Sequence, residues 1–279
     1  MSKPVHTPEK AYKNLDFLNS RPARPIRILC EYEEPRQRLR QHGVHNTIVF
    51  FGSARAVSAS EAAERHAAAK EAAAAAPGDA DAARALRKAE AAVRLSPYYE
   101  SARALAHRLA TWSGNREQGQ RDYFICSGGG PGIMEAANRG AADAGMRSVG
   151  LGISLPFEQG VNSYVTEDLA FEFHYFFTRK YWFLYPCKAL VIFPGGFGTM
   201  DELFETLTLV QTGKIKRHLP VLLFGTEYWS RVLDMSAMAE FGTVSIEDLD
   251  LVHRSDDVDE AFDWLVAQLN AIEPGNAPG

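Results

Sequence analysis

Residues 189–202 read ALVIFPGGFGTMDE. A five-residue apolar run, Ala189 to Phe193, meets a proline and a glycine pair, and Leu203, Leu207 and Val210 then repeat at helical spacing. That is a strand, a tight loop and an amphipathic helix. The same order recurs on either side, with strands expected at 47–51 (TIVFF), 123–126, 148–153 and 220–224. Helices are expected at 98–112, 131–144, 175–184, 199–212, from 228 onward, and at 258–269. Apolar strands that do not alternate with polar residues are buried on both faces, which requires a parallel sheet with helices above and below. The predicted fold class is therefore α/β, a doubly wound Rossmann-like parallel sheet flanked by helices.

Two regions stand apart from this alternation. The Ala-rich segment 56–96 is broken at Pro77-Gly78-Asp79 and carries Glu61/Arg65 and Glu90/Arg94 at i,i+4 spacing, so it reads as an inserted helical hairpin. Residues 1–45 hold five prolines (Pro4, Pro8, Pro22, Pro25, Pro35) and read as an N-terminal extension with room for one short helix. Residues 46–272 are then expected to form the Rossmann-like domain that carries this insertion, and 273–279 a C-terminal tail.

Composition narrows the function classes. Of 279 residues 46% are apolar and 23% charged, enough for a full core, which excludes a disordered, collagen-like or mucin-like chain. Thirty Lys and Arg against 35 Asp and Glu leave a net charge of −5, which argues against nucleic acid held on a basic surface. Cys30, Cys126 and Cys187 form no CxxC pair, and the opening MSKPVHTPEK lacks the apolar core of a secretory signal, so a reducing cytoplasm is expected. The apolar runs fall short of a membrane span, and the eight histidines form no metal-ligand cluster. The reading calls for no metal, no cofactor, no nucleic acid and no membrane.

The chemistry is sought where strands end in glycine. Gly52-Ser53-Ala54-Arg55, Ser127-Gly128-Gly129-Gly130-Pro131-Gly132 and Pro194-Gly195-Gly196-Phe197-Gly198-Thr199 each precede or lie near an expected helix start, where free amides and the helix dipole favour a phosphate. Each could instead be only a tight turn. Gly52, Ser53, Gly129, Gly130, Gly195, Gly196, Gly198 and Thr199 are the phosphate- or nucleotide-binding candidates. Neither GxGxxG nor a P-loop GK[ST] is present, since Ile215 follows Lys214, so NAD and P-loop nucleotides fit poorly. Thr199 and Glu202 have the T-x-x-E spacing of a capping box, in which Glu202 would only satisfy a backbone donor; the same spacing also sets a carboxylate one turn from the amide cluster. Arg179 and Lys180 sit among aromatic residues, where they suit phosphate or ribose and the rings suit a base. A core or interface helix with snorkelling charges is the alternative.

These segments together resemble the Lonely Guy (LOG) family. PGGFGTMDE (194–202) matches its PGGxGTxxE motif, Arg179-Lys180 stands where the family has its RK pair, and FGSAR from Phe51 and GGGPGIMEAANRGA from Gly128 are also similar. The likeness spans roughly residues 46–270. It implies a Rossmann-like fold, usually a homodimer or larger, and cytokinin riboside 5′-monophosphate phosphoribohydrolase activity; related members hydrolyse ordinary nucleoside 5′-monophosphates. By resemblance Arg179 and Glu202 are catalytic, Gly195, Gly196, Gly198 and Thr199 bind phosphate, and Lys180 joins the nucleotide site. The family's older label, lysine decarboxylase, would need a pyridoxal phosphate lysine that nothing in the sequence identifies.

The residues suit that chemistry on their own terms. Cleaving the ribose C1′–base bond builds oxocarbenium-like charge, which a carboxylate such as Glu202 can stabilise while orienting ribose or activating water. Arg179 suits an oxyanion better than lysine would. The expected function is a hydrolase releasing free base and ribose 5-phosphate. The competing reading is a non-catalytic nucleotide or molybdenum-cofactor carrier, since LOG-like folds also occur there.

Overall fold

The structure, a computed structural model, describes residues 7–117, 122–154 and 160–272; the tail expected at 273–279 lies outside them. Its strands are β1 (Thr47–Phe51), β2 (Phe124–Ser127), β3 (Ser148–Ile153), β4 (Ala170–Phe173), β5 (Cys187–Ile192), β6 (Val221–Phe224) and β7 (His253–Ser255). They form one seven-stranded sheet in the order β4-β3-β2-β1-β5-β6-β7, and every pair is parallel. The helices are α1 (Leu15–Leu18), α2 (Arg24–Gln41), α3 (Ala59–Ala75), α4 (Ala80–Gly114), α5 (Ile133–Asp143), α6 (Phe176–Leu184), α7 (Phe197–Gln211), α8 (Thr226–Val232), α9 (Met235–Glu240) and α10 (Val258–Ala271).

Both faces of the sheet are covered, which is why its inner strands read as unbroken apolar runs. Ile48 and Phe50 of β1 point into a core shared with Leu105 and Leu109 of α4, Ile133 of α5 and Leu265 of α10. Val49 and Phe51 point the other way, towards Phe183 of α6, Leu203 of α7 and Trp229 of α8. The expected doubly wound Rossmann-like sheet is present. Strand order reverses at β1: the chain steps outward through β2, β3 and β4, then returns to place β5 on the other side of β1. A crevice at such a reversal, beyond the carboxyl ends of the strands, is where this architecture receives ligands.

The helical insertion differs from expectation. Its second arm does not stop before Pro97; α4 is one helix of 35 residues whose first half pairs with α3 and whose second half lies on the sheet. A proline inside a helix leaves the carbonyl four residues earlier without its donor. Here the Ser96 hydroxyl donates to that carbonyl, Val93 O, at 3.0 Å, and the helix continues. Within α3 only Ala62 is buried, and the helix packs on α4.

The N-terminal region also holds more than one short helix. α2 runs for 18 residues through Pro35, and Leu39 and Val44 join the core. Its Pro25 occupies the first turn, where no helical donor is lost. Arg38 donates from Nη1 to Ala170 O at 2.9 Å and stacks on Phe171, so α2 covers the outer strand β4. β4 and β7 are absent from the sequence expectation. β4 has four residues, with Phe171 and Phe173 buried, and is hidden in an aromatic stretch; β7 is His253-Arg254-Ser255, with no apolar residue to mark it.

Candidate active site

The carboxyl ends of the adjacent strands β1, β2 and β5 meet at this reversal. Ser53 N–H donates to Pro194 O at 2.9 Å and Phe193 N–H to Phe51 O at 2.9 Å, which ties the loop after β1 to the loop after β5. Ile133 N–H donates to Ser53 O at 3.1 Å, which ties the loop after β1 to the start of α5. Gly132 has φ +75°, and a Cβ there would collide with Ser53 O, so this junction admits only glycine. The triple-glycine loop is held from beneath. Gly129 N–H donates to Ser127 Oγ at 3.0 Å, Ser127 Oγ donates to Asn138 Oδ1 at 2.6 Å, and Asn162 Nδ2 donates to Gly129 O and Gly130 O at 3.0 and 3.1 Å. The amides of Ser53 and Gly129 are thus engaged within the fold.

The loop after β5 is different. α7 begins at Phe197, with Gly196 as its N-cap, and no side chain caps it. Thr199 is the third helical residue, and its hydroxyl sits where a Cβ on Gly195 would be. The T-x-x-E spacing is therefore no capping box, because the helix starts two residues before Thr199. Side chains at Gly196 and Gly198 would meet nothing within 4 Å, and Phe197 is 96% exposed, so this uncapped end opens outward. Tyr228, which the sequence reading did not single out, donates its hydroxyl to Gly195 O. Tyr98 of α4 also reaches this edge: a Cβ on Gly225, just past β6, would lie 2.8 Å from its ring and 3.1 Å from Pro194. Its only sequence signal was a tyrosine pair directly after a proline.

α6 supplies the cations. Arg179 donates from Nε to Leu151 O of β3 at 2.6 Å, lies over the Phe183 ring, and approaches Gly128 so closely that a Cβ there would be 2.5 Å from Nη2. Lys180 Nζ lies 2.6 Å from Glu205, 2.9 Å from Asp201 and 3.4 Å from Glu202 Oε1. Asp201 and Glu205 were not foreseen, although both fall on α7 beside Glu202. The aromatic stretch divides: Phe171, Phe173, Trp182 and Phe183 enter the core, while Phe176, Phe177, Tyr181 and Tyr185 are exposed.

The charges follow from this packing. Glu202 is only 7% exposed, and burial pushes its carboxyl above the usual carboxylate range; Lys180 and Arg179 pull it back without cancelling the rise, and Glu205 adds to it. Burial alone would lower the Lys180 ammonium, but Glu205, Asp201 and Glu202 together outweigh it and hold the proton more tightly than usual. Three carboxylates share one ammonium, so the lysine gains more than any one acid does. Lys180 and Arg179 thus both act on Glu202 in α7, and Arg179 reaches from there to Leu151 of β3 and to Gly128 after β2.

Comparison with known proteins finds a likeness over part of the chain. Residues 134–265 match the family model described as "Possible lysine decarboxylase". A decarboxylase that uses pyridoxal phosphate forms a Schiff base with a lysine, whereas Lys180 is paired with Glu205, Asp201 and Glu202. Among solved structures, TM1055, a structural-genomics target, is 20% identical with a TM-score of 0.46, covering 80% of this chain and 99% of that one. The Moco carrier protein from Chlamydomonas reinhardtii is 20% identical with a TM-score of 0.42, covering 81% of this chain and 98% of that one. No curated protein matches the chain. From α5 into α10, residues 134–265 are thus similar to the family described as possible lysine decarboxylase, in the same part of the chain that carries the Lonely Guy-like motifs.

Proposed function

We propose that the chain hydrolyses the N-glycosidic bond of a nucleoside 5′-monophosphate, either a cytokinin riboside 5′-monophosphate or an AMP-like nucleotide, to free base and ribose 5-phosphate. The observation that carries this reading is the buried Glu202 carboxylate, one turn into a helix whose uncapped start opens onto the crevice, beside the two cations of α6. The amides at Gly196, Phe197 and Gly198 receive the 5′-phosphate, aided by the helix dipole. Arg179 holds the phosphate or ribose. As the C1′–N bond breaks, its electron pair leaves with the base, which takes up a proton. Water then adds to C1′. Glu202 faces the developing cation or accepts the water's proton, and its elevated pKa brings it nearer the working pH of a general base. Lys180 offsets part of the rise that burial causes. We propose further that the protein works as a homodimer or larger assembly, as the family resemblance implies, and in the cytoplasm, as its few scattered cysteines suggest.

The test is chromatography of incubations with a panel of nucleoside 5′-monophosphates, using the matching nucleosides as controls. Free base and ribose 5-phosphate from the monophosphates alone are expected. Equal turnover of the nucleosides removes the phosphate role of the α7 start, and tight binding without product favours a carrier.

A further inference from the structure

We infer that Glu31, on the N-terminal helix α2, is a positioning residue that sets the α6 cations in the crevice, an inference that rests on the function proposed above for Arg179. α6 starts at Phe176, and its N-cap, Tyr175, makes no side-chain capping bond, so the helix cannot secure its own start. The Glu31 carboxylate does so from outside. Oε1 accepts from His174 N–H at 2.8 Å, while Oε2 accepts from Tyr175 N–H at 3.3 Å and from the Thr178 hydroxyl. A carboxylate here also complements the positive end of the α6 dipole.

The main chain of Glu31 makes a second tie. Pro35 lies four residues further along α2 and has no N–H, so the Glu31 carbonyl lacks its helical donor. Trp182 Nε1 of α6 donates to that carbonyl at 2.9 Å. One residue thus grips α6 at its start through a side chain and a turn later through a carbonyl that the proline has released. Arg179 and Lys180 lie between the two grips. Their own contacts, Arg179 to Leu151 O and Lys180 to Glu205, are made at the ends of long side chains and depend on the rotation and height of the helix that bears them. Small misplacements of a positioned group are costly to rate.

The substitution that tests this is Glu31→Gln, which preserves shape but exchanges one acceptor oxygen for a donor facing other donors. Hydrogen exchange at the amides of residues 176–180 should quicken at least tenfold, with β5 and α7 unchanged, and kcat/KM for the best monophosphate should fall about tenfold. Pro35→Ala returns a helical donor to the Glu31 carbonyl and should quicken exchange near Trp182 while leaving the start of α6 protected. In an Arg179→Lys background, Glu31→Gln should cost less than twofold more, because a residue acting through Arg179 has little left to disturb; a general loss of stability would instead reduce both backgrounds alike. Full turnover in Glu31→Gln, or a full tenfold loss in the Arg179→Lys background, overturns the inference. A wild-type protein that hydrolyses no monophosphate removes the proposed function. Faster exchange at 176–180 in Glu31→Gln would then still support the grip on the cations, and unchanged exchange would overturn it.

Discussion

Lys180 Nζ stands 3.4 Å from Glu202 Oε1, farther than its 2.6 and 2.9 Å contacts with Glu205 and Asp201. Glu202 is therefore held in the lysine's field without being its closest partner. It keeps an elevated pKa, while Lys180 is fixed by the outer two acids. That division gives Glu202 two separable properties, a catalytic carboxylate and a burden on the fold.

Glu202→Gln separates them. Loss of a positioned acid–base group typically costs about 10² to 10⁴ in rate, and kcat should fall within that range. Stability should move the other way. Because burial raises the folded-state pKa above the unfolded one, folding favours the protonated form. The wild type is then fully stable below the ordinary Glu range and loses stability as pH rises through the elevated value. Melting temperatures should show the variant at least as stable as wild type at pH 7, with the advantage vanishing towards pH 4.

Lys180→Met keeps the length of the side chain and removes its charge. Lys180 is the largest influence lowering Glu202, so the variant should push that carboxyl still higher. If ionised Glu202 does the work, activity is lost as pH falls through its pKa. The acid limb of the kcat profile should move to higher pH in Lys180→Met. An unmoved limb would mean that another group governs it.

Arg179→Lys should not restore function. The guanidinium donates from Nε to Leu151 O while Nη2 lies against Gly128, a span that a single ammonium cannot cover. A loss of at least about 10² in kcat/KM is expected, in line with misplacing a positioned group. Gly128→Ala should show a similar loss with Arg179 intact, since the added Cβ would displace Nη2. Steady-state kinetics on the same monophosphate compares the two.

How far the sequence reveals this site depends on the physics of each part. The doubly wound sheet is legible because strands buried on both faces are apolar throughout, as TIVFF at β1 shows. The glycine loops are legible as strand ends, but their separate duties are not: Gly129 and Gly196 look alike in sequence, and only packing shows that the amide of one is engaged by Ser127 while the other opens outward. Prolines mislead. Pro35 and Pro97 each remove a helical donor, which locally predicts a break, yet Trp182 and Ser96 supply substitutes from a distant helix and an adjacent side chain. The pairing of Glu31 with α6 lies 143 or more residues apart along the chain, beyond any local pattern.

The same contrast among glycines supports a last prediction. Gly132 and Gly195 are required by their neighbours, but Gly196 and Gly198 have ordinary φ values and empty space where a Cβ would project. Nothing in the fold's own packing demands glycine at either place. Gly198→Ala should leave stability unchanged or raise it by up to about 1 kcal/mol, the helix-propensity difference between the two residues. If phosphate approaches the α7 amides there, the added methyl stands in its path, and KM for a monophosphate should rise about tenfold or more while the melting temperature holds. A variant with unaltered KM would show that the phosphate lies elsewhere, whatever becomes of Glu202.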